Sequence, residues 1–506
     1  MVINVKQNAK RNIVFGFFNK FILLLLPFIS RSFISRYLGV NFLGLNSLFS
    51  SIIHVLLLSE MGFSSALVYH MYRPIAENDQ DTINALLNLY RKAYIVIGTV
   101  IIIIGLMLIP VLPRLIKGDY PADTNITVIY IIQLMNTAVS YFLFGYKQSL
   151  LTAYQREDVN SVINLVVQSV LHIAQILLLV RTRSYYVYVI CMPIATVINN
   201  VWIAIATKRM FPDARCCGHL TESTLSDIKK LVAGTFIQKA CATTRNSLDS
   251  ICISSFIGLT ITGIYNNYYT VMSGLTTLVT IIGASLSGGI GNHVATKSSD
   301  ENFEELRRID FLYMGISGWG TVCLLCTFQT FMQLWMGEDM MLTTSIVVLL
   351  CLYFYLLKMG DMRSLYSAAN GLWWKMRYRS IAETSCNVLL NITLGLIWGI
   401  YGIVVATIIS LFICNFIWSS SILFSNYFGK QKLRDYFKYH FRYFVFTAAM
   451  CCISYFLCSL VHIDNLLTAF IVKGVICTIL FAFCFMLTYS RNKIFRESIR
   501  MVVDNA

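Results

Sequence analysis

Apolar runs of about 20 residues recur along the whole chain, each followed by a short polar segment. At 1.5 Å per residue, a helix of that length crosses the hydrocarbon of a bilayer. The pattern predicts about fourteen helices, at roughly 13–35, 44–70, 92–113, 124–146, 158–180, 185–206, 231–256, 264–292, 309–334, 343–368, 380–399, 402–424, 443–461 and 466–489. The expected fold class is therefore all-α and polytopic. The first run follows basic residues and imitates a signal peptide, but "FILLLLPFISRSF" has no small-residue cleavage site and reads as a helix.

Composition agrees. Of 506 residues, 57% are hydrophobic and 13% charged, and the mean hydropathy is +0.66. A water-soluble chain of this length needs far more polar surface. Charge then sets orientation. With the N-terminus cytoplasmic, the inside segments hold 28 of the 40 Lys and Arg residues and the outside segments hold five. The positive-inside rule places both termini in the cytoplasm. The net charge of +15 is a topology and anionic-lipid signal, and no nucleic-acid-binding motif accompanies it.

The chain repeats itself. "FISRYLGVNFLGL" near residue 33 returns 219 residues later as "CISSFIGLTITGI", with Ile34, Ser35, Gly39 and Gly44 matching Ile253, Ser254, Gly258 and Gly263. "SLLTA" at 149–153 is echoed by "SLYSA" at 364–368. Both copies start inside, so the expectation is two parallel six-helix lobes related by an axis along the membrane normal. That gives an N-lobe at 1–206, a cytoplasmic linker at 207–230, and a C-lobe at 231–424. A basic linker at 425–442, two further helices within 443–489 and a cytoplasmic tail at 490–506 follow.

Charges within the runs are the candidate chemistry, because each is costly in hydrocarbon. Bases outnumber acids there: Lys20, Arg31, Lys239, Arg245, Lys358, Arg363 and Lys473 against Glu60, Asp249 and Asp361. Lys20 and Arg31 return to one helix face after ~16 Å. Gln238, Arg245 and Asp249 share a face, as do Lys358 and Asp361. The offset of 219 pairs Lys20 with Lys239, while Arg245 and Asp249 have no counterpart. Two readings stand side by side: an aqueous cationic cavity built from Lys20, Arg31, Lys239, Arg245, Lys358 and Arg363, or structural ion pairs and snorkelling near helix ends. Snorkelling weighs equally for Arg31, Arg363 and Lys473. Pro27 is a candidate kink in the first helix.

Other motifs carry less. His54 and His172 read as structural, since no zinc-ligand spacing or Ser-His-Asp or Cys-His constellation accompanies them. "GGIGNH" at 288–293 lacks the preceding strand of a phosphate loop. Cys323 and Cys326 have CxxC spacing inside an apolar run, where thiols act as small hydrophobes. No metal or cofactor is expected. The outside loops, about ten residues or fewer, leave no room for an outward-facing catalytic loop.

"ISRYLGVNFLGLNSLFSSI", leading into "SEMGFSSALVYHMYRPIAENDQDTINALLNLYRKAY", resembles the start of bacterial polysaccharide flippases of the multidrug/oligosaccharidyl-lipid/polysaccharide exporter superfamily. "AETSCNVLLNITLGLIWGIYGIVVATIIS" at 382–410 is similar to that family's eleventh and twelfth helices. The resemblance implies a bacterial cytoplasmic-membrane transporter with two lobes around a cavity that opens alternately to each side. Its implied substrate is undecaprenyl-pyrophosphate carrying an oligosaccharide repeat unit, moved to the outer leaflet for surface polysaccharide. An ion gradient would drive it, with Asp249, Asp361 and Glu60 as coupling candidates, beside membrane lipids and a polysaccharide polymerase and export machinery as partners. A drug or organic-cation exporter of the same superfamily is the alternative, followed by a membrane-embedded envelope enzyme such as an acyltransferase or polymerase.

Overall fold

All fourteen apolar runs lie in helical segments. The computed structural model describes residues 5–60, 62–118 and 124–504. In chain order its helices are α1 (Val5–Leu38), α2 (Val40–Leu56), α3 (Phe63–Glu77), α4 (Gln80–Leu108), α5 (Ile126–Phe142), α6 (Gln148–Ala153), α7 (Glu157–Thr182), α8 (Tyr185–Met210), α9 (Glu222–Phe256) and α10 (Leu259–Thr296). They continue as α11 (Ser299–Met336), α12 (Thr344–Lys358), α13 (Asp361–Ala369), α14 (Arg377–Trp398), α15 (Ile400–Ser410), α16 (Ser419–Leu423), α17 (Gln431–Ser459), α18 (Leu466–Tyr489) and α19 (Lys493–Asp504). No strand occurs among the described residues.

Ten of these helical stretches are long and apolar enough to cross a membrane, or eleven if α5 and the 145–153 segment, bent by 54°, form one span. Three of the expected fourteen runs are not among them: 13–35, whose side chains up to residue 21 lie outside the described residues, 44–70 and 231–256. α2 stops at 17 residues, before a 3-10 turn at Leu57–Glu60. α9 carries Lys239, Arg245 and Asp249 along its length. Elsewhere the outward faces are apolar: on α18, Ile471, Ile479 and Leu487 are each more than half exposed. Such a surface is stable against lipid and not against water. The chain is a multi-pass membrane protein.

Two compact units divide the chain, Met1–Gly263 and Ile264–Ala506. In the first, α1 packs on α7, α7 on α8, α4 and α8 on α5, and α9 on α2 and α3. The boundary thus falls inside α10, one helix beyond the 207–230 segment. That segment's loop is fixed to the start of α4: the Arg215 amide donates to Asn84 Oδ1 at 2.7 Å and Asn88 donates to the Gly218 carbonyl at 2.9 Å. In the second unit, α11 packs on α12, α17 and α18, and α14 packs on α15.

The repeat has a physical counterpart. Gly39 and Gly258, equivalent at the offset of 219, both take positive φ (94° and 137°) at helix breaks, where a side chain would be strained. Just beyond, the two copies meet within the first unit. Asn41 accepts from its own equivalent, Thr260, at 2.7 Å. A Cβ on Gly44 would overlap the Leu259 carbonyl, and one on Gly263 would stand 2.7 Å from the Val40 carbonyl. Val40 and Leu259 are again equivalents, so the contact is reciprocal.

Polar ends are capped from the sequence. Asp79 accepts from the Thr82 hydroxyl and amide at the start of α4, which holds its carboxyl below the usual carboxylate range. Ser298 and Glu301 form a capping box on α11, and the Ser298 bonds lower the Glu301 carboxyl likewise.

Candidate functional site

A helix break positions the first acid. α2 ends in the 3-10 turn, Gly62 turns the chain with φ 95°, and α3 begins at once, which leaves Glu60 at the corner. Its two carboxylate oxygens accept from Tyr94 on α4 and Tyr141 on α5. Tyr90 donates to the Tyr94 hydroxyl at 3.1 Å. Glycine makes this geometry accessible. A Cβ on Gly98 would come within 2.8 Å of the Tyr141 Cβ, so only glycine lets α5 approach α4 closely there. Glu60, Tyr90 and Tyr94 line a cavity of about 660 Å³, together with Tyr69, Tyr72 and Lys239. One acid, one base and several aromatic faces therefore line one cavity, large enough for many water molecules.

A second helix break positions the second acid. Between α12 and α13 the chain turns at Met359–Gly360, and Asp361 becomes the first residue of α13. Tyr313 on α11 donates to Asp361 Oδ2 at 2.5 Å, and Lys358 pairs with the same oxygen at 2.7 Å. The Lys358 ammonium, 2% exposed, also donates to Thr280 on α10 at 2.9 Å. A buried cation held this way is paired and hydrogen-bonded at once, which offsets its desolvation.

Tyr94 and Tyr313 are repeat equivalents, both on the helix that follows the repeat's second helix. The acids are not: Glu60 lies before α3, whereas Asp361 opens α13. Each unit therefore joins three helices through a carboxylate and the same tyrosine, with the acid supplied from a different helix. A donated hydrogen bond to a charged acceptor is worth about 1.5–3 kcal/mol, so each cluster clamps its helices.

The remaining expected residues fall elsewhere. Arg31 is flanked by Tyr185 and Tyr188 of α8, beside Ser30, whose hydroxyl lies 2.6 Å from His172 Nδ1. Tyr185 also donates to Asn46 at 3.1 Å, as Gln133 does at 3.3 Å, so this corner is a polar network inside the first unit. Arg245 and Asp249 are buried on α9, 7% and 2% exposed, one turn apart, and both are engaged by neighbours. Arg363 points away from Asp361 into a π-helical stretch at Leu411–Trp418. Its guanidinium donates to the Asn415 carbonyl at 2.6 Å, the Phe416 carbonyl at 3.0 Å, Asn415 Oδ1 at 3.0 Å and Ser420 at 3.1 Å. Lys473 donates to Thr330 at 3.2 Å. The Lys20 side chain lies outside the described residues.

Thus Glu60 and Lys239 come together, Lys358 and Asp361 come together, and Arg363 serves a main-chain anchor. Tyr94, Tyr141 and Tyr313 were missed by charge alone. The repeat offset that matches Tyr94 to Tyr313 is the signal that could have found two of them.

No family model matches the chain, and no curated protein sequence matches it. Solved structures do. The lipid II flippase MurJ in an inward closed conformation aligns with 95% of this chain and 100% of its own, at TM-score 0.68 and 16% identity. An inward-facing multidrug resistance MATE transporter of the MOP superfamily aligns with 82% of this chain and 95% of its own, at TM-score 0.58 and 13% identity. The MATE transporter VcmN of Vibrio cholerae aligns with 83% and 98%, at TM-score 0.55 and 14% identity. At such identities the likeness is one of fold, and the chain has the fold of the MOP-superfamily transporters and flippases.

Proposed function

We propose that the chain is a flippase that carries undecaprenyl-pyrophosphate-linked oligosaccharide repeat units from the cytoplasmic to the outer leaflet, for surface polysaccharide. The observation that carries this reading is coverage. The lipid II flippase accounts for 95% of the chain, while the two MATE transporters account for 82% and 83%. Surplus intramembrane base supports it, since Lys and Arg neutralise a pyrophosphate as point and bidentate partners. On this reading two six-helix lobes alternate about a cavity, both termini are cytoplasmic, and the protein is not an enzyme. Lys239, Arg245 and Lys358 contact the anionic head, with Lys20 and Arg31 as further contacts. Glu60, Asp249 and Asp361 couple transport to an ion gradient. A polysaccharide polymerase and export machinery receive the product.

The test is a deletion strain. Lipid-linked repeat units should accumulate facing the cytoplasm, and re-expression of the chain should clear them; a strain with normal outer-leaflet display removes the proposal. One observation favours a second reading, an organic-cation exporter: Glu60 sits in an aromatic-lined cavity suited to a cation. That reading expects dye or drug sensitivity in the same strain with polysaccharide intact.

A further inference from the structure

The CxxC pair on α11 acquires partners in the folded chain. The sulfurs of Cys326 on α11, Cys458 on α17 and Cys477 on α18 all lie within 4.8 Å of one another. All three residues are buried, at 7%, 3% and 0% exposure. Cys458 and Cys477 stand 3.8 Å apart, and the Cys323 thiol is within hydrogen-bonding reach of Cys477. Any small apolar side chain would serve the packing with Val322, Met450 and Phe481. Three helices each turning a sulfur to one point is what packing leaves without a reason.

We infer that these thiols form a binding site for a soft, thiolate-seeking metal ion, Cu(I). Sulfurs bound at about 2.3 Å around one ion stand roughly 3.8 Å apart, the separation seen between Cys458 and Cys477. Thiolates select Cu(I) and Zn(II) among common ions. Zn(II) closes its shell with four ligands; Cys323 reaches Cys477 but is not in the group of three sulfurs that lie within 4.8 Å of one another, and water is scarce among Val322, Met450 and Phe481. Cu(I) is satisfied by two or three sulfurs and needs no water.

Charge supports the same site. Lys473 precedes Cys477 by one turn of α18, and Thr330, to which Lys473 donates, follows Cys326 by one turn of α11. Lys473 and Thr330 thus stand one turn along their helices from the sulfur-bearing residues, where an ammonium can offset thiolate charge in an apolar setting. Two thiolates, one Cu(I) and one ammonium sum to neutrality, with two thiol protons released on binding. Entry is short, because Cys458 is the penultimate residue of α17, next to the α18 turn with exposed His462 and Asp464. The ion would fasten α17 and α18 to α11.

The experiment uses the full chain purified in detergent under ascorbate, with Cu(I) supplied against a competing copper(I) chelator. One equivalent should resist the chelator, and X-ray absorption should show a sulfur-only shell. Cys458→Ser with Cys477→Ser should weaken binding at least a hundredfold, while Cys217→Ser with Cys452→Ser, at exposed positions, should not. Equal retention by both double variants overturns the site. Should the first pair fail to fold, the wild-type spectrum decides alone, since nitrogen or oxygen scatterers overturn it. A Zn(II) titration is the second arm, and zinc held in preference to Cu(I) overturns the choice of ion.

Discussion

Tyr94 and Tyr313, 219 residues apart, each donate their hydroxyl to an intramembrane carboxylate that sits at a helix break. The two equivalent positions carry the same donor, while the acceptor lies before α3 in one copy and at the start of α13 in the other. The donor therefore marks the position that matters, and the acid adapts to it.

Removing that donor separates the clusters from their surroundings. Tyr94→Phe and Glu60→Gln, taken singly and together, should show a coupling free energy of about 1.5–3 kcal/mol in detergent unfolding. Tyr141→Phe should lose about as much, because each tyrosine holds one of the two Glu60 oxygens. A coupling near zero would mean that Glu60 and Tyr94 do not interact in the folded protein.

Lys239 is exposed in the Glu60 cavity, while Arg245 is buried. Lys239→Ala should keep folded protein at wild-type yield and abolish polysaccharide display. Arg245→Ala should abolish display as well. Normal display by both variants would end the cationic-cavity account of this face.

Arg363 behaves differently. Its donors serve the π-helical stretch, so Arg363→Met should cost about 1–3 kcal/mol for each buried acceptor left without a donor. Arg363→Lys should rescue little, because an ammonium lacks the planar fork. The readout is yield of monodisperse protein. A well-folded Arg363→Met that fails only in transport would instead return Arg363 to the substrate path.

Glycine contacts give a graded series. Gly98→Ala should destabilise by about 1–3 kcal/mol through overpacking against Tyr141. Gly44→Ala should do worse, since main chain cannot rotate away as a side chain can. Gly289→Ala meets nothing within 4 Å and should be neutral. Thermal unfolding in detergent orders the three, and equal midpoints would refute the close approaches.

Acid should loosen helix starts first. The Asp79 and Glu301 carboxyls are held below their usual range, so their bonds stabilise the fold above the unfolded carboxyl pKa and are lost as pH falls through the folded one. Amide exchange at Thr82 and Ser298, whose N–H groups donate to the Asp79 and Glu301 carboxylates, should rise below the normal carboxylate range while the spans stay protected.

Much of this was readable from residues. Period and length alone reveal the helices, because hydrocarbon leaves backbone groups no other partner. The repeat was readable from Gly39, Gly44, Gly258 and Gly263. What charge reading could not supply was partnership. Arg363 and Asp361 are two residues apart, yet one faces a π-helical main chain and the other a tyrosine. Tyr94 and Tyr141 carry no charge, so nothing in composition marks them. Cys326, Cys458 and Cys477 each look like packing until three helices are brought side by side.

The reciprocal seam at Gly44 and Gly263 also constrains history. A side chain gained by either copy would strike the other copy's main chain, so neither duplicate could change there without the other's consent. The acids beside Tyr94 and Tyr313 meet no such limit and stand on different elements. The two copies are therefore bound to one another where they touch and free to differ where each holds its own charge.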